Sequence, residues 1–354
     1  MITEARGNLL EADVDALVNT VNTVGVMGKG IALQFKRAYP EMFKAYAKAA
    51  KRGELSLGRM HVWETGLMTG PRYIINFPTK GHWKARSRLE DVVHGLDDLV
   101  ATIRELDIRS IAIPPLGCGQ GGLDWRDVGP LITDKLAAIP EVDVRVYPPE
   151  GAPKASTMVS ASRPPRLTPV RGALIRLMSD YAIHGFAWPT LVEVQKLAYF
   201  LQAAGEPLNL DFEPLHYGPY ADALRKVLRD LEGHYISGFG DGSAPVSQAE
   251  PIEVLPGAAD MATELLEGDD PTAEHLRRVL DLVEGFESSY GLELLATVHW
   301  LVVHEPGLAD DVSLLVERVQ GWTPRKGRMF TREHIVVAAR TLRERGWLRA
   351  LASA

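Results

Sequence analysis

The 354-residue chain contains a single cysteine, Cys118. This excludes an intramolecular disulfide and suits a reducing, cytoplasmic setting. No His–Asp pair is evident beside it, so its place between two glycines reads as a small loop filler rather than a nucleophile. No apolar run approaches the ~20 residues needed to span a bilayer, and the N-terminus lacks a basic-then-apolar leader. No membrane partner is therefore expected. Internal repeats are absent. His61, His82 and His94 have no ligand-like spacing, so neither a metal nor another cofactor is expected.

The length accommodates two domains, each able to bury a core. Charge divides the chain in the same way. Up to Lys154 there are 20 Lys+Arg against 19 Asp+Glu, and beyond it 19 against 27. Residues 205–293 alone hold 19 acids and 5 bases, and residues 318–349 turn basic again. Such asymmetry reads either as a solvated face or as an acidic surface that meets a basic partner. Between the halves lies a Pro/Ser/Ala-rich stretch from Pro148 to Pro169 with little to bury. The expected division is 1–150, a linker at 151–169, and 170–354.

In the first division strand and helix signals alternate. Strands are expected over 16–19, 60–63, 73–77, 110–114 and 143–147, and helices over 30–38, 40–52, 89–106 and 125–139. Ser87, with Glu90 three residues on, has capping-box spacing. Alternation of this kind predicts a layered α/β sheet with helices on both faces, in which ligands gather at the carboxyl ends of strands. Beyond Pro169 the pattern is mostly helical. Leu174, Leu177, Met178 and Tyr181 share one face, as do Val194, Leu197, Ala198 and Leu201. Further helices are expected over 224–231, 273–286, 292–304 and 312–319, and one capped amphipathic helix from Thr331 to Leu348.

Two glycine-dense loops follow strands. One holds Gly28, Lys29 and Gly30, the other GCGQGG at 117–122. Without a Cβ in the way, backbone N–H groups can approach a phosphate there, although each alone also reads as a tight turn. The run GNLLEADVDALVNTVNTVGVMGKGIA (7–32) together with GCGQGG resembles the signature of macrodomains. That resemblance implies a three-layer α/β/α macrodomain sheet over roughly the first 150 residues, followed by the mainly α-helical second domain. It further implies ADP-ribose as ligand, with Asp13 on the adenine amine and Asn22 on the distal ribose. The diphosphate would lie against Gly28, Lys29, Gly30, Gly117, Cys118, Gly119, Gln120, Gly121, Gly122 and Leu123.

A third stretch, Thr79-Lys80-Gly81-His82-Trp83-Lys84, follows the strand over 73–77, with Arg86 and Arg88 close behind. Thr79 would join the ADP-ribose site. His82, Trp83, Lys84 and Arg86 read either as a solvated basic loop or as a strip that stacks on bases and contacts phosphates. Among macrodomains, a lysine in this place resembles the terminal ADP-ribose glycohydrolase type and the macrodomain antitoxins of DarT/DarG toxin–antitoxin systems. The resemblance implies that Lys80 is catalytic. It would act either as a nucleophile whose pKa is lowered by burial or by a neighbouring cation, Lys84 or Arg86, or as a cation that polarises the leaving group or stabilises developing charge. In the terminal type an acid in the second loop resolves the lysine adduct. The matching position here is Gly121, and Asp124 reads equally as a helix cap.

Val194–Leu201 with HYGPY at 216–220 resembles the Panacea/SocA-like antitoxin domain. The combined resemblance implies an enzyme that removes ADP-ribose from thymine in single-stranded DNA. It also implies a second domain that neutralises a cognate DarT-type DNA ADP-ribosyltransferase, by acidic mimicry of DNA or by contacts of the basic final helix. The alternatives are a non-catalytic ADP-ribose reader and a hydrolase of protein esters or O-acetyl-ADP-ribose. Any turnover should be undiminished in EDTA; a large loss in the chelator would contradict a metal-free site.

Overall fold

The computed structural model describes every residue except Met68, 151–157, 159–160, Phe186, Ser243, 245–248 and 349–354. About half of the expected linker, 151–157 with 159 and 160, therefore lies outside the described residues. The chain separates into two compact units, Met1–Arg163 with Gly240–Ala244, and Pro164–Phe239 with Pro245–Ala354.

The first unit runs β1 (Ile2–Glu4), β2 (Ala16–Asn22), α1 (Gly30–Ala38), α2 (Pro40–Lys51), β3 (His61–Glu64), β4 (Tyr73–Lys80), α3 (Leu89–Glu105), β5 (Ser110–Ile113), α4 (Trp125–Leu136) and β6 (Asp143–Val146). The strands form one sheet in the order β1-β6-β5-β2-β4-β3. Only β3 is antiparallel to its neighbour. Side-chain alternation along β2 builds a core on each face. Ala16 and Val18 point toward Val92, Leu96, Leu99, Val128 and Ile132 of α3 and α4. Leu17 and Val21 meet Phe35, Met42 and Tyr46 of α1 and α2. The result is a three-layer α/β/α unit.

In this unit three differences from the sequence expectation bear on the sheet and its loops. β2 and β4 run three residues further than their apolar cores, because pairing continues through Val21↔Pro78 to Asn22↔Lys80. Lys80 is thus the last strand residue rather than part of a loop. β1 carries too short a pattern to be read from sequence; it joins the sheet edge through backbone bonds, Val144 N–H to Met1 and Ala5 N–H to Val146. Ser87 does not cap α3. Arg88 occupies that position without a side-chain cap bond, and Ser87 is buried elsewhere.

The second unit is mainly helical: α5 (Pro169–Gly185), α6 (Leu191–Ala204), a hairpin of β7 (Glu213–Leu215) and β8 (Gly218–Tyr220), and α7 (Asp222–Leu231). A two-stranded ribbon of β9 (Ile236–Ser237) and β10 (Glu253–Val254) precedes α8 (Ala258–Leu265), α9 (Asp270–Val283) and α10 (Ser289–His304). The chain ends with α11 (Val312–Gly321), α12 (Pro324–Met329) and α13 (Arg332–Glu344). Almost every side of α6 and α10 is buried, and α6 starts in a capping box of Thr190 and Glu193. The α13 helix stops before the expected end. Gly346 turns the chain at φ 72°, and the N–H groups of Trp347 and Leu348 return to the Leu342 carbonyl.

The two stretches singled out in this half meet in space. Lys196 Nζ donates to the Pro219 carbonyl at 2.6 Å, and the Gln195 amide bonds both the N–H and the carbonyl of Ala221. Close by, Glu293 accepts from Lys326 at 2.6 Å and from Arg325 at 2.7 Å. Burial, with Lys326 alongside, lowers the Lys196 pKa to about 7, against the pull of Glu293.

Helix α3 lies so close to the sheet that a Cβ on Gly95 would stand 2.3 Å from the Phe77 ring, which is fully buried. Gly→Ala in an open helix stabilises by about 1 kcal/mol. Here the clash should reverse the sign, and Gly95→Ala should destabilise by roughly 1–3 kcal/mol in urea denaturation.

Candidate active site

Because β2, β4 and β5 are parallel neighbours, their carboxyl ends share one edge of the sheet. Asn22 closes β2 and is registered against Lys80 at the end of β4. The Asn22 side chain folds the loop that follows: Oδ1 accepts from the N–H groups of Val24 and Val26, each at 3.2 Å, and Nδ2 donates to the Val26 carbonyl at 2.6 Å. Buried Tyr46 donates its hydroxyl to the Asn22 carbonyl, and burial holds that phenol above its ordinary pKa. The loop then enters α1 through Gly28, exposed Lys29 and Gly30, the last at φ 59°. Lys29 is the N-cap position and supplies no side-chain cap bond. The first N–H groups of α1 therefore lie at the end of this loop. Asp13 is exposed in the segment that leads into β2.

The second glycine loop links β5 to α4. Internal bonds from Cys118 N–H to Pro115, Gly122 N–H to Gly119 and Leu123 N–H to Gly117 fold it. Among the described residues, the N–H groups of Gly119, Gln120 and Gly121 have no acceptor. Successive free N–H groups of this kind are suited to an anion. Asp124 is spent as the α4 cap, accepting from Arg126 N–H at 2.9 Å. Burial, and then the carboxylates of Asp124 and Asp127, push the Cys118 thiol up to about 11. A thiol held in that form is a poor nucleophile.

Lys80 joins these parts. Its side chain is largely buried, and Nζ donates to the Gln120 carbonyl at 2.9 Å and to the Trp83 carbonyl at 3.1 Å. Burial lowers its pKa below the ordinary lysine value. Of the two causes open from the sequence, burial and a neighbouring cation, it is burial that acts. Thr79, one residue earlier, is buried against β2, its hydroxyl 3.4 Å from the Val21 carbonyl. The turn after β4 carries exposed His82, Trp83, Lys84 and Arg86. Trp83 is 49% exposed, its ring 5.3 Å from that of His82 and 4.9 Å from Lys84 Nζ. Ser87 is the functional neighbour that the sequence misassigned: its N–H donates to the Gly121 carbonyl at 3.0 Å.

The Macro domain family model matches residues 18–132. A DNA ADP-ribosyl glycohydrolase of Thermus aquaticus is 52% identical over 349 residues, covering 99% of this chain and 95% of that one. The chain belongs to the DNA ADP-ribosyl glycohydrolase family. A second relative, a DNA ADP-ribosyl transferase–DNA ADP-ribosyl glycohydrolase fusion protein of Thermosipho africanus, is 34% identical over 158 residues, 40% of each chain. The solved macrodomain of Mycobacterium tuberculosis DarG is 60% identical, covering 42% of this chain and 99% of that chain at a TM-score of 0.42.

Within this glycohydrolase fold, the second loop has no room for an acid at position 121. A Cβ there would stand 2.2 Å from Ser87 Oγ and 2.4 Å from the Gly117 carbonyl oxygen. Gly119 meets nothing within 4 Å. Gly121→Ala should therefore weaken ADP-ribose binding at least tenfold by forcing the loop to shift, whereas Gly119→Ala should stay within about threefold in the same calorimetric titration.

Proposed function

We propose that the first unit hydrolyses the N-glycosidic bond between ADP-ribose and thymine in single-stranded DNA, with Lys80 as its catalytic residue. The observation that carries this reading is the position of Lys80, registered against Asn22 on one side and bonded to the diphosphate-loop carbonyl of Gln120 on the other. Asn22 would hold the distal ribose, Asp13 the adenine, and the N–H groups at 28–30 and 119–121 the diphosphate. His82, Trp83, Lys84 and Arg86 would hold the strand, with a base stacked on the exposed indole.

In the reaction the bond from the ribose anomeric carbon to the base nitrogen breaks, and its electron pair leaves with the base. Water adds to that carbon. One of its protons passes to a substrate phosphate oxygen and onward to solvent, and the base takes up a proton. Two carbonyl acceptors favour the ammonium form of Lys80, which is suited to stabilising the departing negative base. A lysine adduct fits less well. Gly121 cannot carry the acid that would resolve it, and Asp124 is engaged at the start of α4.

The second unit is the element that would neutralise a DarT-type transferase in the same cytoplasm. Its acidic side chains Glu250, Glu253, Asp260, Glu264, Glu267, Asp270, Asp281 and Glu284 are exposed, a surface suited to a basic DNA-binding cleft. Glu293 falls out of that surface because it is buried, paired with buried Lys326 and half-buried Arg325. The Thermosipho relative, whose name joins a transferase to a glycohydrolase in one chain, supports the pairing.

An oligonucleotide carrying ADP-ribose on thymine tests the reading. The wild type should release ADP-ribose, and Lys80→Ala should be slower by at least about a hundredfold. As the ammonium is the working form, the rate should hold at lower pH and fall as pH rises through the lowered lysine pKa. A rate that climbs with deprotonation would favour the amine nucleophile. Unchanged turnover in Lys80→Ala would remove the catalytic assignment, and no release by either protein would favour a reader or an ester hydrolase.

A further inference from the structure

Ser87 stands directly beneath the second glycine loop. It is 6% exposed, and among the described residues its Oγ has no hydrogen-bond partner. Burying a hydroxyl in that state costs about 1–3 kcal/mol, so the folded chain alone gives no reason to prefer serine to alanine. The surroundings supply one. The Ser87 N–H already holds the Gly121 carbonyl. Ser87 Oγ and the Gly117 carbonyl oxygen also crowd the same point, where a Gly121 Cβ would stand. A Cβ on Gly117 would likewise come within 3.1 Å of Ser87 Cβ and 3.2 Å of Oγ.

The neighbouring carbonyl is held as well, since Lys80 Nζ bonds that of Gln120. In a trans peptide the following N–H points opposite to the carbonyl. Anchoring the Gln120 carbonyl at Lys80 therefore directs the Gly121 N–H away from that lysine, and anchoring the Gly121 carbonyl at Ser87 fixes the next peptide plane. The serine acts on the loop through its backbone, and its hydroxyl is a donor in reserve beside a loop whose N–H groups at 119–121 lack acceptors.

We propose that Ser87 is a positioning residue for the diphosphate of ADP-ribose: its hydroxyl gains a loop carbonyl as acceptor when the loop closes on the ligand, which fixes the aim of the N–H groups at 119–121. The inference rests on the reading of 117–122 as the diphosphate loop. It assigns Ser87 no contact with the reacting atoms.

The test uses the full chain with free ADP-ribose as the probe, and measures binding by calorimetry and unfolding with and without ligand. Ser87→Ala should keep or raise the Tm of the ligand-free protein, yet weaken ADP-ribose binding roughly tenfold, the size of one hydrogen bond. Ser87→Thr, which retains the hydroxyl, should bind within about threefold of wild type. In the hydrolysis assay the Ser87→Ala loss should fall on KM, with kcat and its pH profile kept. Unchanged affinity in Ser87→Ala would overturn the inference, as would a lowered ligand-free Tm with unchanged affinity. Equal weakening in the Ala and Thr variants would assign the effect to packing and overturn it too. A wild-type chain that does not bind ADP-ribose would instead sink the diphosphate reading itself.

Discussion

The ammonium of Lys80, donating at once to Gln120 and Trp83, is the contact on which the functional edge of the first unit depends. The parallel run of β4, β2 and β5 delivers three loops to one side of the sheet. Parallel pairing alone would leave those loops free to adopt many heights. Lys80 ties the turn bearing Trp83 to the glycine loop, and the backbone bond from Thr23 N–H to the Lys80 carbonyl adds the loop after β2. One residue thus joins the segments assigned to ribose, diphosphate and nucleic acid. Burial lowers its pKa, while its two carbonyl acceptors favour the charged form.

The loops themselves are fixed by what they cannot hold. A side chain at Gly121 would strike Ser87 and Gly117, and one at Gly25, at φ 82°, would press on the Ala50 side chain of α2. Close approach of backbone to backbone leaves N–H groups as the lining, which suits a diphosphate better than any side chain. The same crowding leaves position 121 no room for an acid, which is why an acid-resolved lysine adduct fits the proposed reaction less well. In the helical unit the polar centre is of another kind: buried Glu293 accepts from Lys326 and Arg325, and Lys196 holds the hairpin of β7 and β8 through the Pro219 carbonyl.

Much of this was legible in the sequence. The layered sheet followed from alternating strand and helix signals, and the order of the two glycine loops, with Lys80 between them, was visible as motif. Asp124 reads as a cap and is one. What the sequence withheld was register. The apolar pattern ends at Phe77 and so reads Lys80 as a loop residue, whereas strand pairing is a backbone matter and continues to Asn22 and Lys80. Capping-box spacing is local and points Ser87 to α3, while its actual neighbours, Gly117 and Gly121, lie some thirty residues away in the chain. Composition does not register burial, so it places buried Glu293 in a surface charge excess. In each case the missing information was a contact between distant segments.

The most direct test of the account is a titration of isotope-labelled protein with ADP-ribose, followed by amide and lysine side-chain NMR. The account predicts that the amides at 28–30 and 119–121 shift together with the Lys80 side chain, and that those of the helical unit stay still. Shifts confined to residues away from the β2, β4 and β5 strand ends would contradict it.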